Sequence, residues 1–500
     1  MAKYRTTDVA AGQGLFLSVN LQEQLLPDSF EYMLNQIIGT KIDLSVFDKE
    51  YKNDVTGASA VPPRALLKLI IYGYFKGCKS SRKIYDLNNN NIIAKALTGD
   101  MTIHWTTIAD FITGHKAAVE ETFTRVLLYC NELGLIGGEN FAVDGLRLPS
   151  NASIDMSGTE KQLKKRLMAY REMAAKHIER HARKDAQGTN EAEVERRFEK
   201  RQKMLAKRIE TIDRFIKEMK VKGGRHTEEI QSNVTDNESA MIQSSKGYIQ
   251  GYVGIAVSDQ KSQIITSAQA FGSANETEHL PEMLDKNAQN LKGAGVKVEE
   301  GKKPTMSGDP NYFSEENLRS CQEHGIEAVL LDSQAKRRLG PDGKNRYEVD
   351  DFKYNETDDS YECPQGKRLR YKRETEQKGV LGKVYQASLT DCKRCPVFSK
   401  CSWSKKKQSE QNQGKTLRIT ERNKRGNLCR EMRKKFETVE YQDIYAYRIQ
   451  IVEPVFANIR YCKGLNRFTV RGKEKVNSQW LLYCIVHNLS KCLKVYNSMR

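Results

Sequence analysis

Two short apolar stretches, each followed by an aspartate, constrain the fold most strongly. Phe141-Ala-Val leads directly to Asp144, and Thr305-Met-Ser-Gly leads to Asp309. Both stretches have the length and apolar character of a buried strand, so each acid is expected at a strand end. The pair Asp144-Gly145 is also typical of a plain turn, which is the alternative interpretation.

A third acid, Glu453, lies in a stretch near the end of the sequence that is predicted to be a helix. Its apolar residues recur at i, i+3, i+7 and i+10, which predicts a buried stripe of Ile449, Val452, Phe456 and Ile459. Glu453 is expected beside this stripe, near the core. A carboxylate there needs a partner, either an ion pair with Arg448 or Arg460, or a metal ion.

The composition favours a polyanionic partner. The chain has 500 residues, 38% of them hydrophobic, and a formal net charge of +18. This length suggests two to four domains. A basic excess of this size is typical of nucleic-acid-binding proteins, although surface lysine that serves solubility is the alternative.

Several observations predict a cytoplasmic protein without a membrane partner. The sequence contains no run of ~18 apolar residues, and its first residues lack the apolar core of a signal peptide. In the cytoplasm, the 11 cysteines are not expected to form a disulfide framework, and most should be packed thiols.

Changes in pattern divide the chain into five parts. We predict a helical DNA-binding domain of the helix-turn-helix type, with a generic helical bundle as the alternative, and an α/β core with a mixed sheet. An inserted helical hairpin, a basic cysteine-containing insertion and a helical end of the core complete the chain. The helical domain is predicted at 1–135, the α/β core at 136–156 and 226–335, and the hairpin at 157–225. The cysteine-containing insertion is predicted at 336–426 and the helical end of the core at 427–500.

The cysteine-containing insertion has one Cys-x-x-Cys pair and two further cysteines. Such a set can hold one structural Zn²⁺ tetrahedrally, and reduced free thiols are the alternative. The four residues are Cys363, Cys392, Cys395 and Cys401.

A basic segment follows Glu453, with aromatic residues between its charges. This composition is typical of a surface that follows a nucleic-acid backbone. Its basic residues are Arg460, Lys463, Arg467, Arg471 and Lys473, and the interleaved aromatic residues are Tyr461 and Phe468.

Three carboxylates that meet at one sheet edge could bind two Mg²⁺ ions, or Mn²⁺, because hard oxygen ligands suit these cations. Two such ions about 3.5–4 Å apart stabilise the attacking and leaving oxygens of a phosphoryl transfer. The sequence has neither a GxxxxGK[ST] phosphate loop nor an HExxH pair. Nothing therefore indicates a nucleotide-driven motor.

Several motifs extend along nearly the whole chain, from an N-terminal motif through the acids to the tail. They are Val61-Pro-Pro-Arg, Val143-Asp-Gly with Asn151-Ala-Ser, Gly308-Asp-Pro-Asn-Tyr-Phe-Ser, Cys363-Pro-Gln-Gly-Lys, Cys392-Lys-Arg-Cys-Pro and Val452-Glu-Pro-Val-Phe. Together these motifs resemble those of bacterial insertion-sequence transposases of the Asp-Asp-Glu (DDE) type, which have an RNase-H-like catalytic core.

The resemblance implies that Asp144, Asp309 and Glu453 are the catalytic acids and the Mg²⁺ ligands. It also implies DNA contacts by Tyr445 and Arg448, which match a tyrosine and an arginine that precede the glutamate in the family. This sequence departs from the family in two ways: four residues separate Arg448 from Glu453 instead of three, and position 460 is arginine instead of lysine.

The predicted function is therefore DNA transposition by a mobile element. The protein would bind double-stranded DNA at the terminal inverted repeats, cut it, and join it to target DNA, as a homodimer and nucleoid-associated when bound. Two alternatives are a catalytically inactive DNA-binding protein of the same fold, and a metal-dependent nuclease without strand transfer.

Overall fold

The structure is a computed structural model, and most of the chain can be described from it. The described residues are 20–49, 51, 59–185, 192–219, 222–223, 229–244, 247–297, 301–332, 347, 349–377, 380–401, 408, 412–420 and 428–499.

The described residues before the first strand form seven α-helices, a 3-10 turn at Gln22–Gln24 and a π-turn at Ile37–Lys41. Side chains cap four of these helices: Ser29, Ser80, Asn91 and His104 each accept a hydrogen bond from a backbone N–H in the first turn. The helices are α1 (Phe30–Gln36), α2 (Ser45–Asp48), α3 (Pro63–Phe75), α4 (Ser81–Asn90), α5 (Ile92–Thr98), α6 (Trp105–Gly114) and α7 (Lys116–Glu132).

A mixed sheet of six strands follows, so the predicted helical beginning and mixed α/β sheet are both present. Neighbours run in the order β10-β9-β1-β7-β6, and β8 also pairs with β7. Strands β9 and β10 are parallel to their neighbours, whereas β7 is antiparallel to β1, β6 and β8. The strands are β1 (Asn140–Pro149), β6 (Ala240–Ser244), β7 (Gly247–Asp259), β8 (Ile265–Phe271), β9 (Thr305–Gly308) and β10 (Glu327–Leu330).

Strand β1 is longer than predicted. The prediction that it ends at Asp144 is wrong, because it continues to Pro149 in register with β7. Leu146 and Leu148 are buried in this continuation, which explains why the strand does not turn at Asp144-Gly145. Asp144 therefore lies within a strand, on a rigid part of the sheet.

Five further helices pack against this sheet: α10 (Leu280–Gly293), α11 (Glu315–Glu323), α14 (Leu428–Lys435), α15 (Val439–Ala457) and α16 (Lys473–Ser498). A π-turn at Asn458–Cys462 continues α15. Helix α16 contacts β8 and also α3, α6 and α7, so the N-terminal helices share one hydrophobic core with the sheet. Among the helices of the described residues, none is both long and apolar enough to cross a membrane.

The predicted hairpin leaves and re-enters the core at adjacent positions. Ser157 in β2 pairs with Asn233 in β5, which brings the two ends of the hairpin together. Its elements are β2 (Ser157–Gly158), α8 (Glu160–Asp185), α9 (Ala192–Glu218), β3 (Lys222–Gly223), β4 (Glu229–Ile230) and β5 (Ser232–Asn233).

A second, antiparallel sheet of five strands lies between β10 and α14 in the sequence. One face carries a small core that includes Leu369, Tyr385 and Leu417. Its elements are β11 (Lys353–Asn355), β12 (Ser360–Glu362), β13 (Arg368–Gln377), β14 (Val380–Ala387), α12 (Leu389–Lys393), α13 (Phe398–Cys401) and β15 (Thr416–Thr420).

Candidate metal centre

The sheet itself brings Asp144 and Asp309 together. Strands β1 and β9 are parallel neighbours in which Val143 pairs with Gly308, so the two aspartates are the next residue on each strand. Asp309 ends its strand and accepts hydrogen bonds at 2.9 Å from the backbone and the side chain of Asn311. These contacts hold its carboxylate at the strand end.

A third carboxylate, Glu276, joins the two aspartates. Ligand oxygens of Asp144, Glu276 and Asp309 all lie within 4.8 Å of one another. Glu276 lies in the irregular link between β8 and α10 and is 3% exposed. Glu276 was not predicted from the sequence, because it follows the apolar strand β8 only after an irregular stretch, whereas Asp144 and Asp309 directly follow their apolar stretches.

The missing side chain of Gly145 makes this arrangement possible. A Cβ atom at position 145 would lie 2.7 Å from Oε2 of Glu276 and 2.7 Å from Cγ1 of Val253. Real Cβ atoms essentially never come this close to other heavy atoms. The glycine after Asp144 therefore serves the close approach of Glu276 and does not form a turn.

Two arginines balance the negative charge of the group. Nε and Nη2 of Arg147 donate to Oε1 of Glu276 at 2.9 and 2.7 Å, and Nη1 donates to the carbonyl of Gln243 at 3.0 Å. Arg448, on α15, donates from Nη1 to Oδ2 of Asp144 at 3.2 Å. Charge-assisted bonds of this kind favour the ionised carboxylates.

Burial nevertheless disfavours the charged forms. The pKa of Glu276 is raised to about 7, chiefly by burial and also by the charges of Asp309 and Asp144, while Arg147 opposes these effects. Burial also raises the pKa of Asp144, against a hydrogen bond from the Gly145 N–H. A bound cation would remove this cost, because it compensates the like charges.

The donor set fits a hard divalent cation. All three potential ligands are carboxylates, which Mg²⁺ and Mn²⁺ prefer. Tyr312 lies near them and is fully buried, and its hydroxyl has no hydrogen-bond partner among the described residues. Burial, and then the charges of Glu276 and Asp144, raise the pKa of Tyr312, so it stays a neutral hydroxyl beside the acids.

Glu453 does not belong to this carboxylate group. Its side chain is exposed, so its predicted position near the core is wrong. Along a helix, five residues correspond to a rotation of about 140°, so a helix that directs Arg448 at Asp144 directs Glu453 elsewhere. The neighbouring residue Val452 is buried against Ala142 of β1.

The predicted stripe around Glu453 is also partly wrong, because Ile449 is 47% exposed. The buried positions are Ile451, Val452, Val455 and Ile459. Pro454 lies inside α15 and has no N–H to donate to the carbonyl of Gln450, one helical turn earlier. The side-chain amide of Gln263 donates to this carbonyl instead, at 2.8 Å.

The predicted DNA-contact residues have mixed environments. Tyr445 and Arg448 lie beside the carboxylate group, and the guanidinium carbon of Arg448 lies 5.6 Å from the centre of the Tyr445 ring. The predicted surface position of Lys463 is wrong, because it is 6% exposed and its ammonium lies 3.8 Å from the Phe75 ring centre. Phe468, also predicted on that surface, is fully buried.

Three of the remaining basic residues are exposed, and Arg460 is half-buried. Arg467 donates to the carbonyl of Ser150 at 2.9 Å, and Arg471 donates to the carbonyl of Asn151 at 2.5 Å. Lys473 begins α16, and its backbone N–H donates to Glu238 at 2.9 Å. Their DNA contacts stay predictions.

Comparisons with protein families agree with the resemblance. Residues 362–493 match the model of a transposase DDE domain, and residues 19–114 match the model of a transposase domain, DUF772. These matches support an insertion-sequence transposase of the DDE type. They likewise support a role in DNA transposition and recombination by a mobile element. No curated protein matches the chain.

The matched ranges include Glu453 but not the three clustered acids. Glu453, Tyr445 and Arg448 lie inside the longer matched range, as do the four cysteines. Asp144, Glu276 and Asp309 lie between the two matched ranges. The carboxylate group is therefore an observation of the structure alone, whereas the role of Glu453 stays a prediction from the sequence.

Proposed function

We propose that this chain is a DNA transposase that cuts the ends of an insertion sequence and joins them to target DNA, with divalent cations held by Asp144, Glu276 and Asp309. The observation that carries the proposal is the meeting of these three carboxylates on neighbouring elements. The strand order β10-β9-β1-β7-β8, in which β7 is antiparallel to β1 and β8 and the other pairs are parallel, further supports an RNase-H-like core.

The three carboxylates would hold Mg²⁺ or Mn²⁺, and a second ion is part of the proposal. When bound, the cations would stabilise negative charge on the attacking and leaving oxygens of DNA phosphoryl transfer. The chain contributes the fixed positions of the acids: β1 and β9 hold the aspartates, and Gly145 admits Glu276. Arg147 and Arg448 orient Glu276 and Asp144 through the hydrogen bonds described above.

The third catalytic acid has two candidates. Glu276 is favoured by its position in the carboxylate group, and Glu453 by the sequence motif within the matched DDE domain. We propose Glu276 as a ligand in the conformation described here. A catalytic role for Glu453 would require α15 to turn or bend, and Pro454 with the following π-turn is where the helix is weakest.

The DNA partner would be double-stranded, with the terminal inverted repeats and a target site as substrates and a homodimer as the active form. The basic residues Arg460, Arg467, Arg471 and Lys473 would contact phosphates. The Zn²⁺ ion predicted for the four cysteines would bind at the small sheet, and it has no part in this catalytic proposal.

The experiment that tests the function uses the full chain, its flanking element ends and Mg²⁺, followed by mapping of the DNA products. Cleaved ends and joined products support a transposase. Cleavage without joined products supports the nuclease alternative, and metal-independent binding without cleavage supports an inactive DNA-binding protein. Asp309→Asn is the matched variant, because it keeps the shape of the ligand but removes its charge.

A further inference from the structure

Four cysteines lie near one another beside the core of the small sheet. Cys363 directly follows β12, Cys392 lies in α12, and Cys401 ends α13. These three side chains pack against the core of this sheet, and Cys395 follows α12 by two residues. All four are half-buried free thiols, and they come from two segments separated by the β13–β14 hairpin.

The backbone around two of the thiols donates hydrogen bonds to sulfur. The N–H of Lys367 donates to Sγ of Cys363 at 3.3 Å, and the N–H of Lys415 donates to Sγ of Cys392 at 3.2 Å. Gly366 makes the first contact possible, because its φ of +71° closes the turn after Cys363. These hydrogen bonds hold the two sulfurs in a fixed orientation, as outer contacts do for metal ligands.

A second layer of contacts fixes the segments that carry the cysteines. The side-chain amide of Gln408 donates to the carbonyls of Cys392 and Cys395 at 2.8 and 2.9 Å. The ammonium of Lys415 donates to the carbonyl of Cys401 at 2.7 Å. Outer contacts of this kind orient metal ligands and are typical of metal centres.

We propose that Cys363, Cys392, Cys395 and Cys401 bind one Zn²⁺ as a structural ion. Each thiol loses its proton to solvent, and four thiolates complete a tetrahedral site. Zn–S bonds of about 2.3 Å place sulfurs about 3.8 Å apart. All four cysteines are among the described residues, and no three of their sulfur atoms lie within 4.8 Å of one another. Zinc binding would therefore draw the thiols closer together.

The ion would stabilise a sheet whose own core is small. Zinc binding is folding free energy for a domain of this kind. Cys363 lies in the turn just before β13, and β13 carries Arg368, Arg370 and Lys372 along a groove of about 610 Å³. Zinc would therefore hold this basic strand in place.

Metal analysis of the full chain, purified reduced and without chelators, tests the site. We expect about one equivalent of zinc per chain and almost none in the double variant Cys392→Ser, Cys395→Ser. Cys462→Ser is the matched control, because Cys462 is exposed and lies outside the cluster, and it should retain zinc. Zinc retained by the double variant, or less than about a tenth of an equivalent in the unaltered chain, would overturn the proposal.

Cobalt substitution covers the case in which the double variant fails to fold. Co²⁺ bound by four thiolates in the unaltered chain should give intense thiolate-to-metal absorption and tetrahedral ligand-field bands. Octahedral cobalt spectra, or iron with labile sulfide instead of zinc, would contradict the assignment. Asp309→Asn should keep its zinc, so this outcome is independent of the catalytic proposal.

Discussion

Glu276→Gln should change how the free energy of unfolding of the metal-free protein depends on pH between about 4.5 and about 7. Burial raises the pKa of Glu276 from its ordinary 4.5 to about 7. Between these pH values the folded protein holds a proton that the unfolded chain has released. The contribution of Glu276 to the free energy of unfolding should therefore fall as pH rises from about 4.5 to about 7 and level off above that range.

The magnitude follows from the two pKa values of Glu276. A difference of about 2.5 between 4.5 and about 7 corresponds to about 3 kcal/mol, at 1.36 kcal/mol for each pH unit. Glu276 is 3% exposed, so solvent screens this effect little. Burial raises the pKa of Asp144 and lowers that of His487 to about 4, so other groups also contribute to the slope. The difference between the variant and the unaltered chain isolates the contribution of Glu276.

Chemical denaturation with a chelator present, repeated between about pH 5 and pH 8, measures this slope. Trp480 is fully buried and serves as the fluorescence reporter. Glu316→Gln is the control, because Glu316 is exposed on α11, and its slope should match that of the unaltered chain. The same slope in Glu276→Gln as in the unaltered chain would refute the reasoning.

Three further predictions concern the same structure. Gly145→Ala should destabilise the protein by about 1–3 kcal/mol in denaturation experiments and weaken Mg²⁺ binding in metal titrations. Gly114→Ala is the control and should have neither effect, because a Cβ atom at position 114 meets no atom within 4 Å. Replacing residues 160–218 with a short Gly/Ser linker should leave cooperative unfolding intact, because Ser157 already pairs with Asn233; loss of cooperativity would place the hairpin in the core. Arg467→Ala and Lys473→Ala should each reduce the salt dependence of duplex binding by about one in the log–log slope, and unchanged slopes in both would move the DNA surface elsewhere.

The sequence predicted two of the three clustered acids because regular strands carry them. Asp144 and Asp309 follow apolar stretches that are adjacent in the sheet, so the pattern and the position agree. Glu276 lies in an irregular link, where no periodicity fixes a direction. Asp259 also ends an apolar strand, so the pattern alone would have selected it as well. Its carboxylate lies elsewhere, where it accepts hydrogen bonds from the N–H groups of Gly137 and Gly138.

The basic segment after Glu453 shows why composition alone misplaces residues. Its chain passes between α3 and the end of β1: Lys463 lies over Phe75, and the Phe468 N–H donates to the carbonyl of Pro149 at 2.9 Å. These contacts depend on the N-terminal helices, which are nearly 400 residues away in the sequence. Local pattern therefore identified a basic segment but could not show which of its residues are buried.

The prediction for α15 failed for a related reason. Apolar residues occur on several sides of this helix, and its buried face is selected by packing on β1 at Ala142. The π-turn that begins at Asn458 then shifts the helical register after Pro454. The spacing thus predicted the helix and its contact with the core, but assigned Ile449 to the wrong face.

Strand cleavage by single-charge variants tests the central claim most directly, which is that Asp144, Glu276 and Asp309 hold the catalytic cation. The assay compares Asp144→Asn, Asp309→Asn, Glu276→Gln and Glu453→Gln on element ends with Mg²⁺, at concentrations where each variant is shown to bind the DNA. We predict that cleavage falls by several orders of magnitude in the first three variants, because each loses a ligand charge. Cleavage by Glu276→Gln at nearly the rate of the unaltered chain, together with loss of cleavage in Glu453→Gln, would contradict the account and make Glu453 the third acid.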